Sequence, residues 1–500
     1  MEMVNWQIVL QGIEMTLTWQ NMILLVVGFF LGVIVGILPG IGPAAGMALI
    51  LPFSFNLGAG SALILMSGVY LASNYGGSLA AILINTPGEA ASAATLLDGY
   101  PMTQRGRAAE ALGISTTAGT IGGILGLVSL IFTAPLLARV ALRFGPPENA
   151  LLALFALSII SAIVKRNPIK GLISGCIGLL LATVGMDLGS GEYRFTFGFD
   201  NLQDGIPFIQ TMVGFFAITQ VIILAENDQA ISKVELAGSG LLEGVKTTLK
   251  HPVTMFRAFI IGLWIGALPA AGRNAASFMA YAAEVKAAKD KSQFGKGNPV
   301  GVIASEMATA SCTMGDLIPT LALGIPGSVG AAVFLGIMII FGVIPGYKVF
   351  TEHGVEIYSL FTAFFIENLL ILVLGLTYAK YLAKITVIRN EIIVPMILIF
   401  SMLGSYSINN SFFDLFLTTL FGILGYFMAK YGYSPVPLVL AMILGPMLEK
   451  NFQRSMIISE DSYMIFLQSG ISKVLVAMTF ISLFYPYISP LLAKMEKKES

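Results

Sequence analysis

Long apolar runs recur along the whole chain, and they limit the folds that it can adopt. The hydrocarbon core of a bilayer is about 30 Å thick, so a helix needs about 20 apolar residues to cross it. Runs of about that length lie near 18–37, 59–80, 109–136, 147–164, 169–186, 205–226, 254–272, 316–342, 357–380, 391–408, 412–430 and 468–489. Shorter apolar pieces, broken by Gly or Pro, lie near 43–56, 299–313 and 434–447. The pattern predicts an all-α polytopic membrane protein of about 10–12 transmembrane helices, with broken or re-entrant hairpins.

The composition agrees with this class and excludes others. Hydrophobic residues make up 56% of the chain and charged residues only 11%, whereas soluble proteins average about 25% charged residues. The 28 basic and 28 acidic residues cancel, so no basic field is available for nucleic acid. Cys176 and Cys312 lie in apolar surroundings typical of buried small hydrophobes, and His251 and His353 have no second ligand at metal spacing. We therefore expect no metal and no cofactor. Because no nucleophile elbow, phosphate loop or catalytic carboxylate pair is found, we also expect no enzyme.

The polar segments divide the chain and orient it. A long polar stretch, 226–253, is interpreted as a linker between a first half, 18–225, and a second half, 254–450, with a C-terminal helix and tail at 451–500. Lys and Arg in short loops mark the cytoplasmic side of a membrane protein. Such residues cluster near 165–170, 380–389, 430 and 494–498, and they share one side if the intervening helices alternate.

Two motifs occur twice, in the same order. Gly36-Ile-Leu-Pro-Gly-Ile-Gly42 reappears as Gly266-Ala-Leu-Pro-Ala-Ala-Gly272, and Asn85-Thr-Pro-Gly-Glu89 reappears as Gly324-Ile-Pro-Gly-Ser328. The shared order and similar offsets predict an internal duplication. Gly and Pro inside an apolar run break a helix. Broken backbone is tolerated at membrane depth only where it is buried in protein or lines a watery cavity.

Matching broken helices in two halves point to a substrate site near the membrane midplane. A half-helix that begins after Pro-Gly offers free amide groups and a positive dipole end, which bind an anion without any charged side chain. Alternatively, the Gly and Pro residues are kinks that help helices pack. The residues that we predict to bind substrate are Gly40, Gly42, Ser73, Asn74, Asn85, Thr86, Pro87, Gly88, Gly272, Arg273, Asn274, Gly324, Pro326, Gly327 and Ser328.

Four charged residues fall in or beside apolar segments, where an ionised group is costly unless it is paired or hydrated. Arg273 is either a bidentate partner for a substrate carboxylate or the structural partner of Asp316 or Glu306. Glu306 and Asp316 are candidates for cation coordination or proton coupling. The alternative is that they form the structural pair with Arg273. Glu367 is expected to anchor a helix end.

With these motifs the chain resembles the large membrane subunit of the tripartite tricarboxylate transporters. The resemblance covers nearly the whole chain, at Gly36–Phe53, Tyr75–Glu89, Asp98–Met102, Phe144–Glu148, Asp204–Phe208, Phe294–Gly297, Ile318–Ser328 and Leu444–Pro446. It implies a permease subunit that imports citrate-like di- and tricarboxylates by secondary active transport across a bacterial or archaeal cytoplasmic (inner) membrane. The coupling ion is then Na⁺ or H⁺, and the partners are a small membrane subunit and a periplasmic solute-binding protein.

The chain departs from the pattern of that family in its second half. It has Pro269-Ala-Ala-Gly272 followed by Arg273 and Asn274 where the family usually has Pro-Gly-Ala-Gly, and Asp316 stands at a usually small, neutral position. These departures leave the substrate open. The alternatives are a channel for carboxylates or other organic anions and a stand-alone permease without a binding protein. A membrane enzyme would need clustered acids or histidines at the interface.

Overall fold

The computed structural model describes residues 6–38, 42–141, 144–162, 168–187, 191–226, 240–268, 272–346, 348–378 and 390–483. These residues are almost entirely helical, with one short antiparallel ladder in which β1 (Gly185–Met186) pairs with β2 (Tyr193–Arg194). Among them, five helices are long and apolar enough to cross a membrane, and six shorter helices are apolar. The predicted class, an all-α polytopic membrane protein, is confirmed.

The helices account for most of the described chain. In chain order they are α1 (Trp6–Leu17), α2 (Trp19–Ile37), α3 (Gly42–Ile50), α4 (Ala59–Ile84), α5 (Ser92–Gln104), α6 (Ala108–Ala141), α7 (Pro146–Ala162), α8 (Pro168–Ala182), α9 (Phe208–Met212), α10 (Thr219–Glu226), α11 (Leu241–Leu249), α12 (Pro252–Ala267), α13 (Gly272–Ala287), α14 (Pro299–Gly315), α15 (Leu317–Leu323), α16 (Val329–Ile340), α17 (Val349–Glu352), α18 (Gly354–Thr377), α19 (Asn390–Asn409), α20 (Phe412–Lys430), α21 (Pro435–Ile458) and α22 (Gly470–Leu483). A π-helical turn, Val213–Ile218, joins α9 to α10.

The described chain groups into two compact units, which are treated separately. One unit comprises residues 1–139 and 216–408, and the other comprises 140–215 and 409–500. These units are defined by contacts, whereas the halves 18–225 and 254–450 are defined by repeated motifs, so the halves stay a prediction.

In the second unit, α21 packs against α7 and α8. There Arg194 of β2 pairs with Glu449 of α21, with 2.7 Å between Nη1 and Oε1.

In the first unit, α4 is the central helix, because all but two of its 26 residues are buried. It packs closely on α2, and the sequence permits this through glycines on both helices. An ideal Cβ at Gly28 would lie 2.3 Å from the Leu65 carbonyl oxygen, and one at Gly76 would lie 2.3 Å from that of Val33. Helices in a membrane gain their attraction from such close contact, since lipid offers no hydrophobic driving force between them.

Four expectations from the sequence are wrong. The run at 316–342 is not one span but two helices, α15 and α16, separated at the Gly324–Ser328 motif, where a break was predicted. The piece at 434–447 belongs to the continuous 24-residue helix α21. Cys176 is exposed rather than buried. Glu367 lies in the middle of α18 instead of at a helix end. Apolar composition alone cannot distinguish a continuous helix from a broken one, nor an inward face from an outward one.

Candidate functional site

Two helix breaks in the first unit have the same local geometry. Leu38 ends α2 in an extended conformation (φ −75°, ψ 121°), and Leu268 ends α12 in nearly the same one (φ −81°, ψ 121°). The helices resume at Gly42 and Gly272, whose φ angles are +52° and +70°. The residues between, 39–41 and 269–271, lie outside the described part of the chain, and with them the predicted site residue Gly40.

A second pair of breaks lies farther along the chain, one in each predicted half. Asn85 ends α4 in the left-handed region (φ 56°, ψ 26°), and Gly324 ends α15 there as well (φ 70°, ψ 23°). Short loops through Pro87 and Pro326 then lead into α5 and α16. The two motif repeats found in the sequence therefore relate positions of equal backbone conformation.

Each loop lies against the break that precedes it. An ideal Cβ at Gly88 would lie 1.8 Å from the carbonyl oxygen of Gly36, and one at Gly327 would lie 2.6 Å from that of Gly266. These two glycines thus have a packing reason to lack a side chain, and their contact with a ligand stays a prediction. In contrast, a Cβ at Gly42 or Gly272 would meet no atom of the described residues within 4 Å. Within the described part of the chain, the first residue of both resumed helices is therefore uncrowded on its side-chain side.

Arg273 lies in the first turn of α13 and is buried, with 6% of its surface exposed. Its Nη1 donates a hydrogen bond to the side-chain oxygen of Asn74 on α4. The same nitrogen lies 3.7 Å from Oε2 of Glu89, and the guanidinium carbon lies 5.5 Å from the centre of the Tyr70 ring. The sequence predicted Asp316 or Glu306 as the structural partner of Arg273. The ion-pair partner is Glu89 instead, because the loop after α4 folds back toward the start of α13.

A second set of contacts joins α4 to α14 and α15. Asn74 Nδ2 donates to Thr313 Oγ1 at 2.9 Å, and the Tyr70 hydroxyl lies 3.4 Å from Oδ2 of Asp316. Asp316 is fully buried, and its Oδ1 accepts a hydrogen bond from the Cys312 thiol at 3.5 Å. One cation and two acids are therefore gathered where the helices of the two breaks meet, although they come from distant parts of the sequence.

Glu306 lies apart from this cluster, in the wall of a small pocket. Its carboxylate accepts hydrogen bonds from Thr95 at 2.5 Å and Ser115 at 2.9 Å. The pocket offers about 30 Å³ to the centre of a water-sized molecule, which is room for a water or a bare cation. The polar residues that line it include Asn74, Ser78, Ser115, Glu306, Thr309 and Asn368. Asn74 therefore connects the pocket to Arg273.

Glu367 forms a counterpart to Glu306. It is fully buried on α18 and accepts a hydrogen bond from Ser67 of α4 at 2.6 Å. The sequence offset that aligns Pro87 with Pro326 also aligns Ser67 with Glu306. Both α4 and α14 are thus linked to a neighbouring helix by a hydrogen bond between a hydroxyl and a carboxylate. On α4 the helix carries the hydroxyl, Ser67, whereas on α14 it carries the carboxylate, Glu306.

The remaining predicted residues are scattered around these groups. Ser73 is buried and donates to the Tyr70 carbonyl at 3.2 Å, and Thr86 donates to that of Ile84 at 3.2 Å. Ser328 accepts from the Ala331 amide at 3.2 Å as the N-cap of α16. Asn85 and Asn274 are exposed.

The sequence reasoning missed Glu89, Tyr70 and Thr313. A signal was available for Tyr70, because it stands one helical turn before Asn74 on the same face of α4. A signal was also available for Glu89, since it is the charged residue that ends the Asn85–Glu89 motif. Thr313 gave no signal of its own.

The comparisons with known proteins agree with this architecture. Residues 22–440 match the model of the tripartite tricarboxylate transporter TctA family. The chain belongs to this family. A protein of Agrobacterium vitis, described as an uncharacterized 52.8 kDa protein in the TAR-I ttuC' 3' region, is 36% identical over 488 residues, which is 97% of each chain.

A second Agrobacterium vitis protein covers only part of the chain. It is described as an uncharacterized protein in the TAR-II ttuC' 3' region, and it is 33% identical over 236 residues, 47% of this chain and 98% of its own length. No solved structure matches the chain. Membership of the TctA family makes the chain a multi-pass transporter permease, in agreement with its apolar helices.

Proposed function

We propose that this TctA-family permease imports small di- or tricarboxylates, with citrate as the reference substrate, by cation-coupled secondary transport. The observation that carries the proposal is Arg273, a buried cation beside two helix breaks whose first residues, Gly42 and Gly272, are not crowded by any described residue. A guanidinium binds a carboxylate through two parallel hydrogen bonds. The amide groups at the starts of α3 and α13 supply further donors, and their helix dipoles favour an anion.

The coupling cation is proposed to bind at Glu306 or Asp316. A dianion that enters a cell against about 100 mV costs about 4.6 kcal/mol, since each charge costs about 2.3 kcal/mol. At least two cations must therefore accompany it for the movement to be electrically neutral. The Glu306 pocket offers carboxylate, hydroxyl and amide oxygens, the ligands that hard cations prefer. The cation is Na⁺ or H⁺, and either would reduce the negative charge that the two acids add to the site.

The partners and the location follow from the family. We propose a small membrane subunit and a periplasmic solute-binding protein as partners, and a bacterial or archaeal cytoplasmic membrane as the location. The binding protein captures the carboxylate and releases it beside the breaks.

The test is uptake of labelled citrate by proteoliposomes with an imposed Na⁺ or H⁺ gradient. We expect saturable uptake when the chain is reconstituted with both partners, little uptake by the chain alone, and loss of uptake when both gradients are collapsed. Arg273→Lys keeps the charge but removes the planar fork, so we expect its uptake to fall about tenfold or more. Saturable uptake by the chain alone would establish a stand-alone permease instead, and uptake that never saturates would establish a channel.

A further inference from the structure

Glu89 has a largely enclosed side chain whose carboxylate is only half engaged. The side chain is 9% exposed, and its Oε1 has no hydrogen-bond partner among the described residues. Its Oε2 lies 3.7 Å from Arg273 Nη1, which is an ion-pair distance but too long for a hydrogen bond. An ionised carboxylate that loses its partner in such a place costs several kcal/mol. Arg273 is therefore the group that keeps Glu89 in position.

The surroundings of Arg273 leave few directions for an incoming anion. Asn74 occupies Nη1, and the Tyr70 ring covers one face of the guanidinium. On the other nitrogen, an ideal Cβ at Gly330 of α16 would lie 3.1 Å from Nη2. On the remaining side of the guanidinium, the carboxylate of Glu89 already occupies the place where an anion would bind. A substrate carboxylate that binds Arg273 there must take the place of Glu89.

The ion pair has no counterpart at the positions that the repeated motifs relate to Glu89 and Arg273. The offset that places Pro87 on Pro326 makes Ser328 the counterpart of Glu89. The offset that places Gly42 on Gly272 makes Pro43 the counterpart of Arg273. In the second half the loop at Gly327 closes on Gly266 with the uncharged Ser328 at the first position, and in the first half the uncharged Pro43 stands at the second. The pair is an addition to the shared architecture, at the place where we propose that substrate binds.

We propose that Glu89 is an internal competitor for the substrate carboxylate at Arg273. Without substrate, its side chain occupies the anion site and links the loop at 85–91 to the start of α13. A substrate carboxylate displaces it and thereby releases the loop from α13. This inference rests on the proposed function, since it assigns the regulation of the same site. It makes Glu89 a positioning residue that weakens substrate binding and sets the resting state.

The first experiment needs no transport substrate. Glu89→Ala removes the internal carboxylate and leaves a gap beside Arg273, which acetate can fill. Thermal unfolding of the purified full chain is measured in sodium acetate and in sodium chloride at equal ionic strength. We expect acetate to raise the Tm of Glu89→Ala by about 2–5 °C relative to chloride. Wild type and the double variant Glu89→Ala with Arg273→Gln should show no difference between the salts.

The second experiment measures binding of citrate to the detergent-purified chain by calorimetry. Glu89→Gln keeps the shape of the side chain and removes its charge, so it should bind citrate about tenfold more tightly than wild type. Equal acetate stabilisation of the single and double variants, or none in either, would overturn the competitor role. So would weaker citrate binding by Glu89→Gln with intact Tm. If no chain binds citrate while acetate still rescues Glu89→Ala, the substrate assignment fails and the competitor role at Arg273 stands.

Discussion

Replacement of Gly88 by alanine tests whether the loops after α4 and α15 are held by backbone packing. The new methyl group would lie 1.8 Å from the Gly36 oxygen, whereas ordinary van der Waals contact begins at 3.4 Å, so the loop must move to make room. At Gly327 the new methyl group would lie 2.6 Å from the Gly266 oxygen, so this loop needs to move less than the loop at Gly88. Overpacking costs about 1–3 kcal/mol and occasionally more. We expect about 3 kcal/mol or more for Gly88→Ala and about 1–2 kcal/mol for Gly327→Ala, in proportion to the two displacements.

The assay is the yield of folded, monodisperse protein by size-exclusion chromatography, together with the midpoint of thermal unfolding in detergent. Gly470→Ala is the matched control, since Gly470 is an exposed helix residue whose Cβ would lie within 4 Å of no atom in the described part of the chain. Its yield and midpoint should equal those of wild type. If Gly88→Ala accumulates and unfolds like wild type but has lost citrate binding, the packing argument is refuted, and the role in ligand approach predicted from the sequence is supported.

Three further predictions concern separate features. Gly42→Ala and Gly272→Ala should fold, at a cost of about 1–2 kcal/mol for a positive φ angle, but lose citrate affinity in a calorimetric titration; unchanged affinity would place substrate elsewhere. Arg194→Gln removes a partly exposed ion pair with Glu449, so the free energy of unfolding should fall by no more than about 1 kcal/mol. The loss should be smaller in high salt, and a larger, salt-independent loss would contradict this. Glu306→Gln should fold normally and abolish the gradient dependence of citrate uptake, whereas uptake that keeps its normal response would remove Glu306 from coupling.

The sequence alone determined the class of the protein and the places where its helices break. Apolar runs of membrane-spanning length have one physical outcome in a bilayer, an α-helix, because backbone groups must find partners within the segment. The Leu-Pro and Pro-Gly motifs interrupt such a helix, so Gly42, Gly272 and Gly324 could be located as breaks. Their positive φ angles in the structure agree with that reasoning.

Only the tertiary structure decided which groups meet at the breaks. Arg273 and Glu89 lie far apart in the sequence, and no local rule states that the loop after α4 returns to the start of α13. For the same reason the sequence named Asp316 and Glu306, not Glu89, as possible structural partners of Arg273, and it left packing and ligand approach as alternatives at Gly88. Side-chain partners across a helical bundle depend on the rotation of each helix and on the path of its loops. Apolar runs and local motifs fix neither, so the ion pair and its contact with Asn74 became visible only in three dimensions.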